Sequence, residues 1–231
     1  MFRYMIGGGS MQSYLISMLL ALPVILLALS LHEAAHGFAA YKLGDPTARN
    51  FGRITLNPLK HLDPVGFLCM LLAGFGWANP VPVNSRNFRK PRRDMALTAL
   101  AGPASNLLLA FLFLLLLRFV GFGWLWDLSY PSQLTARMAY FFVLFLYYGV
   151  QLNVTLAVFN LLPIPPLDGS RILFILLPPR LYFKIAPYER QITIVVLLLL
   201  LLGPLSWAIQ ALTSLILRGM FWLVGMPGFL I

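Results

Sequence analysis

Polar positions in this chain come in clusters, and between the clusters run apolar stretches long enough to cross a bilayer. Residues 14–41 form the first, uncharged until it reaches His32 and Glu33, and about 20 such residues suffice for a span. Pro23 predicts a kink inside it, and Gly44-Asp45-Pro46 predicts its end, because neither glycine nor proline continues a helix well. Residues 95–120 and 136–162 predict the second and third spans. The second carries Gly102-Pro103 and Asn106 in its first half and a leucine-rich second half expected to face lipid. In the third, Gln151, Asn153, Thr155 and Asn160 gather toward the carboxyl end, which predicts a bundle interior there. A short helix is expected over 170–177, and an apolar run over 192–217, interrupted by Gly203-Pro204, completes the chain.

Between the first two spans the pattern changes. Residues 45–64 are polar and turn-rich, and Arg53-Ile54-Thr55-Leu56 suits a short strand or hairpin. Residues 65–78 are apolar but too few to span comfortably, and Gly66, Gly74 and Gly76 interrupt them, so a re-entrant or interfacial element is expected. The prolines of Asn79-Pro80-Val81-Pro82-Val83-Asn84 impose extended backbone. Together these elements predict an all-α polytopic membrane protein. It should have about four to six transmembrane helices and a small membrane-associated β-hairpin or re-entrant segment after the first. Residues 14–231 read as one integral membrane domain, with a core over 14–177 and C-terminal helices over 178–231. Residues 1–13, with Gly7-Gly8-Gly9-Ser10, read as a flexible start or a cloning scar.

Composition agrees: 60% of the 231 residues are hydrophobic and 10% charged, far from the balance of soluble domains. The net charge of +10 would suit nucleic acid, but its distribution does not. Eight of the 17 basic residues lie between Arg49 and Arg93 and four between Arg171 and Arg190, while 121–136 has none. That asymmetry marks cytoplasmic loops, with 121–135 outside and Trp124, Trp126 and Tyr130 as interfacial anchors. Without aromatic residues interleaved among the basic ones, nucleic-acid binding is not expected. The single cysteine, Cys69, excludes an internal disulfide or a thiolate metal cluster.

With only three histidines in the chain, two of them fall in His32-Glu33-Ala34-Ala35-His36. On a helix they are one turn apart on one face, so both imidazoles can reach one zinc ion, with Glu33 beside them to take a proton from a water. Ionisable groups this deep in an apolar segment are costly and point to function. A catalytic zinc takes a third protein ligand and keeps a position open. Asp168 is the favoured candidate, since it follows the polar end of the third span and the prolines around it unwind the backbone. His61 competes, in a loop that reads as exposed; Asp45 and Asp63 also read as solvated loop residues. Asn106, with Asn153 and Asn160, could donate to a substrate carbonyl or oxyanion; the alternative for each is an interhelical hydrogen bond.

Over residues 29–173 the chain resembles the site-2 protease family of intramembrane zinc metalloproteases. The resemblance rests on His32-Glu33-Ala34-Ala35-His36, on Ala101-Gly102-Pro103-Ala104-Ser105-Asn106, and on Asn160-Leu161-Leu162-Pro163-Ile164-Pro165-Pro166-Leu167-Asp168-Gly169. It implies one zinc per chain held by His32, His36 and Asp168, Glu33 as general base, and Asn106 holding the substrate backbone. It further implies that 53–83 presents an edge to an unwound substrate, and that the chain is a compact member without the PDZ or CBS domain many relatives carry. The expected activity is hydrolysis of a peptide bond in or near a transmembrane segment of single-span or other membrane proteins, for regulated intramembrane proteolysis or clearance of remnants and signal peptides. The expected setting is the plasma membrane of a prokaryote, with the site near the cytoplasmic face and the oligomeric state open. Two other classes compete: a zinc-handling membrane transporter, which needs ionisable residues along a whole path, and a protease-like scaffold without activity.

Overall fold

A computed structural model describes residues 11–73, 76–121, 132–176, 184 and 186–226. The first apolar stretch is helix α1 (Met11–Lys42), which continues through Pro23 and ends where Gly44 turns to a φ of 111°. The segment that follows is tied to it by Asp45, and this corrects the reading of that residue as a solvated loop carboxylate. Asp45 is fully buried and accepts hydrogen bonds from the amides of Thr47 and Asn84, the Thr47 hydroxyl and the Asn87 side chain. A short helix α2 (Thr47–Asn50) comes next.

No strand forms among the described residues, so the expected β-hairpin is absent; a single antiparallel bridge joins Leu62 and Ala78. The physical reason lies in the partner segment, because Pro80 and Pro82 have no amide to offer a ladder. Arg53 instead uses its guanidinium, donating to the Asn79 carbonyl at 2.7 Å. Helix α3 (Pro64–Ala73) has 10 residues and rises only about 15 Å, half a hydrocarbon core. Asp63 is its cap, accepting from the Gly66 amide at 2.7 Å. Past α3 the chain returns to where it left: Asn79 donates to the His61 carbonyl at 2.7 Å beside the 62–78 bridge. The two ends of this apolar segment therefore lie together, as a re-entrant element requires.

The second stretch is α4 (Pro91–Leu116), with proline in its first turn and Asp94 accepting from the Lys90 amide. It runs into a π-turn at Leu117–Gly121. In its leucine-rich half only one face is outward, with Leu108, Leu112 and Leu116 exposed and Phe113 and Leu114 buried. The third stretch is α5 (Gln133–Leu161), opened by a Ser132–Thr135 capping box. A loop leads to α6 (Asp168–Leu176), and α7 (Glu189–Leu202) and α8 (Pro204–Leu223) follow, separated by Gly203 in the left-handed region at φ 106°.

Among the described residues three helices are long and apolar enough to cross a membrane, Leu15–Lys42, Pro91–Val120 and Gln133–Leu161. The α7–α8 pair, bent by 75°, makes up to four, the lower edge of the range expected from sequence. The core joins α1, α4, α5 and α8 through Val24, Leu114, Val150, Val154 and Phe221. The expected outer loop with Trp124, Trp126 and Tyr130 lies outside the described residues, as do residues 1–10.

α1 and α4 run antiparallel and meet along two rows spaced four residues apart. On α1 the row is Val24, Ala28, His32, His36 and Ala40; on α4 it is Asp94, Thr98, Gly102, Asn106, Ala110 and Leu114, all buried. Such rows are the ridges by which helices interlock, and the small residues within them allow close approach inside a bilayer.

Candidate metal centre

His32 and His36 sit on the α1 row, and α4 sets their chemistry. His36 Nδ1 lies 2.7 Å from the Thr98 carbonyl oxygen, which can only accept, so Nδ1 carries the proton and Nε2 presents a lone pair. His32 Nδ1 donates to Asn106 Oδ1 at 2.6 Å. The Asn106 amide nitrogen in turn donates to the Ala28 carbonyl and to Asn153 Oδ1, which fixes which end of the side chain faces the histidine. Both rings thus turn Nε2 the same way.

Those two atoms are 3.0 Å apart, and each lies 3.2 Å from Asp168 Oδ2. Asp168 reaches them from the first turn of α6, after the turn at Pro163–Leu167. Among the described residues this is the only group of three or more histidine, cysteine or acidic side chains within reach of one ion. Three electron-pair donors converging so closely repel one another unless a cation lies among them. The triangle suits zinc, which His32, His36 and Asp168 would hold through two imidazole nitrogens and a carboxylate oxygen, the donor set of catalytic zinc sites.

Glu33 is buried beside its neighbour His32, and its Oε2 accepts the Val81 amide at 2.8 Å. His61 is not brought to the cluster. It is buried rather than exposed, with Nε2 donating to the Thr55 carbonyl at 2.8 Å. Each of the three asparagines makes hydrogen bonds within the protein. Asn106 is fully buried, and its amide is spent on His32, Ala28 and Asn153. Asn153, also fully buried, donates to the Gly149 carbonyl while accepting from Asn106. Asn160 donates to the Leu156 carbonyl one turn back.

Sequence reasoning missed three contributors: the Thr98 carbonyl, the Val81 amide and Gly102. The first two are backbone groups with no side-chain signature. Gly102 had one, its place inside the Ala101–Asn106 motif. A Cβ there would lie 2.4 Å from His36 Nε2 and 2.6 Å from His32 Cε1, so only glycine leaves room for the two rings.

The model of peptidase family M50 matches residues 20–203. Relatives named "Putative zinc metalloprotease" also match. YwhC of Bacillus subtilis (strain 168) is 44% identical over 183 residues, 79% of this chain and 80% of the relative. Rip2 of Mycolicibacterium smegmatis is 34% identical over 199 residues, 84% of this chain and 71% of the relative. MJ0611 of Methanocaldococcus jannaschii is 29% identical over 153 residues, 65% of this chain and 71% of the relative. No solved structure matches the chain. The family match covers most of the chain and all three of its motifs, and on that ground the chain belongs to peptidase family M50, the site-2 protease family.

Proposed function

We propose that this protein is an intramembrane zinc metalloprotease that hydrolyses a peptide bond in or near a transmembrane segment of a membrane-protein substrate. The observation that carries this reading is the placement of one ion-sized ligand triangle, with an adjacent buried glutamate, among helices apolar enough to cross a bilayer. His32, His36 and Asp168 hold the zinc. When bound, zinc supplies a Lewis acid that polarises the scissile carbonyl and lowers the pKa of a water toward neutrality.

The protein's own groups do the rest. Glu33 accepts a proton from the attacking water on a carboxylate oxygen and passes it to the leaving amine as the C–N bond breaks and the C–O bond forms. Asn106 and Thr98 keep the imidazoles in one tautomer and one orientation, a task the partners of metal-bound histidines commonly perform. A helical substrate must unwind locally, because its carbonyls are otherwise hydrogen-bonded within the helix. The basic segment 49–60 follows α1, the basic segment 86–93 leads into α4, and Arg171 lies three residues past Asp168 in α6, which supports a site near the cytoplasmic face of a prokaryotic inner membrane. Cleavage there would release a cytoplasmic fragment or clear a membrane remnant.

The test compares wild type with Glu33→Gln in liposomes containing single-span substrates, with zinc measured in both. The expected result is about one zinc per chain in each and cleavage by wild type alone. Zinc in both with equal cleavage would overturn Glu33 as the base, and zinc in both with no cleavage would overturn the proteolytic reading and favour a transporter or an inactive scaffold.

A further inference from the structure

Between α3 and α4 the chain runs Asn79-Pro80-Val81-Pro82-Val83-Asn84. Proline has no amide hydrogen, so across residues 80–82 the backbone offers one donor, the Val81 N–H. That donor lies 2.8 Å from Glu33 Oε2, with both residues buried. The strap is secured on either side of the contact. Upstream, Asn79 donates to the His61 carbonyl at 2.7 Å and its own carbonyl accepts from Arg53 at 2.7 Å. Downstream, the Asn84 amide donates to the buried Asp45 carboxylate at 2.7 Å. In the middle, Val81 packs on Gly37, one residue beyond His36, where an added Cβ would come within 3.3 Å of Val81 Cγ1.

A glutamate side chain has three rotatable bonds, and its usefulness as a base depends on where its carboxylate is held. We propose that the Val81 amide is a positioning group for Glu33: it holds Oε2 in place so that Oε1 carries the proton between the water and the leaving amine. This rests on the reading of Glu33 as general base. The flanking prolines serve the contact twice, by restricting Val81 to extended backbone and by removing neighbouring amides that would compete for the carboxylate.

The test is steady-state cleavage in liposomes by wild type, Val81→Ala, Val81→Pro and Arg53→Gln, with zinc content and melting temperature measured for each. Wild type against Glu33→Gln is read first; if Glu33→Gln cleaves as well as wild type, the base role and this inference fall together. If only wild type cleaves, the Val81 variants decide. Val81→Ala trims the side chain but keeps the amide, and its kcat should stay within about threefold of wild type. Val81→Pro removes the amide, and its kcat should fall about tenfold or more with KM and zinc content unchanged. Arg53→Gln frees the strap from outside the site and should lower kcat severalfold, and it decides the matter where Val81→Pro does not fold. Equal kcat in the proline and alanine variants would overturn the proposal. So would a faster Val81→Pro enzyme, which would make the strap a brake, or loss of zinc, which would mean that the strap supports the ligands rather than the base.

Discussion

Gly102→Ala is expected to empty the metal site while leaving the helices intact. The added methyl would lie 2.4 Å from His36 Nε2, 2.5 Å from His36 Cε1 and 2.6 Å from His32 Cε1, where ordinary contact begins at 3.4 Å. The rings must retreat by about 1 Å, several times the 0.2 Å tolerance of a zinc–ligand bond. Neither ring can swing away freely, because each is held at Nδ1, His32 by Asn106 at 2.6 Å and His36 by the Thr98 carbonyl at 2.7 Å. Removing an orienting partner typically weakens metal binding 10–100-fold, and moving the ligands themselves should cost at least the upper figure, about 3 kcal/mol. Helix propensity alone predicts the opposite sign, since alanine is favoured over glycine by about 1 kcal/mol in a helix interior. Zinc affinity is measured by competition with a chromophoric chelator, with circular dichroism as the check on helix content. A Gly102→Ala protein that keeps its helices and binds zinc as tightly as wild type would refute the packing argument and the assignment of the ion to these two rings.

Asn106→Ala should retain its helices and lose about 10–100-fold in zinc affinity by the same competition; a raised KM with unchanged zinc affinity would restore Asn106 as a substrate contact. Asp168→Asn should lower zinc content after dialysis against a chelator far more than it lowers the melting temperature, because it removes a ligand and not a core contact. Asp45→Ala should destabilise the fold by about 1–3 kcal/mol in denaturant titration, leaving the part-buried amides of Thr47 and Asn84 without their acceptor. The pH dependence has a definite sign. Burial raises the Asp45 pKa, but bonds from Thr47, Asn87 and Asn84 bring it below the unfolded value. Its contribution is therefore complete above about pH 4 and fades as pH falls through the depressed folded value. Wild type should lose this increment in melting temperature below pH 4, and Asp45→Asn should lack it. Gly149→Ala places a Cβ 2.4 Å from the Phe113 ring and should destabilise the α4–α5 contact by about 1–3 kcal/mol without touching zinc affinity.

The three spans were legible because length and apolarity alone define them, and the end of the first because Gly44 is an explicit break, while the second begins at Pro91, four residues before its expected start. Which face of each helix turns inward was harder to read. In lipid the outward face is as apolar as the core, so the hydrophobic periodicity that marks a soluble helix is lost. Only the row of small and polar residues on α4 betrays the inner face, and it becomes visible once Thr98, Gly102 and Asn106 are read as i, i+4, i+8. The histidine pair was legible for the same geometric reason. The segment over 53–83 misled because β-propensity at Ile54 and Thr55 says nothing about whether a partner has amides to pair with, and Pro80 and Pro82 do not. Asp45 and His61 were read as solvated from their polar neighbours, yet both are covered by the returning 79–87 segment, a long-range contact that local composition does not encode.

α4 supplies no metal ligand, yet it determines what the ligands can be. Three consecutive steps of its inner row meet the two histidines in three ways: a carbonyl at Thr98 that fixes one tautomer, an absent side chain at Gly102 that makes room for both rings, and an amide at Asn106 that orients the other ring. Because α1 and α4 run antiparallel, His36 meets Thr98 and His32 meets Asn106, so the i, i+4 spacing of the ligands is matched by an i, i+8 spacing of their partners. Sliding one helix by a single turn would break both pairings at once. Register between the two helices is thus tied to the tautomers of both histidines, and on the proposed ligand set zinc would bind only when α1, α4 and α6 have reached their final places. On that proposal metal binding would report on assembly, so variants along the α1–α4 seam should lose metal before they lose helix.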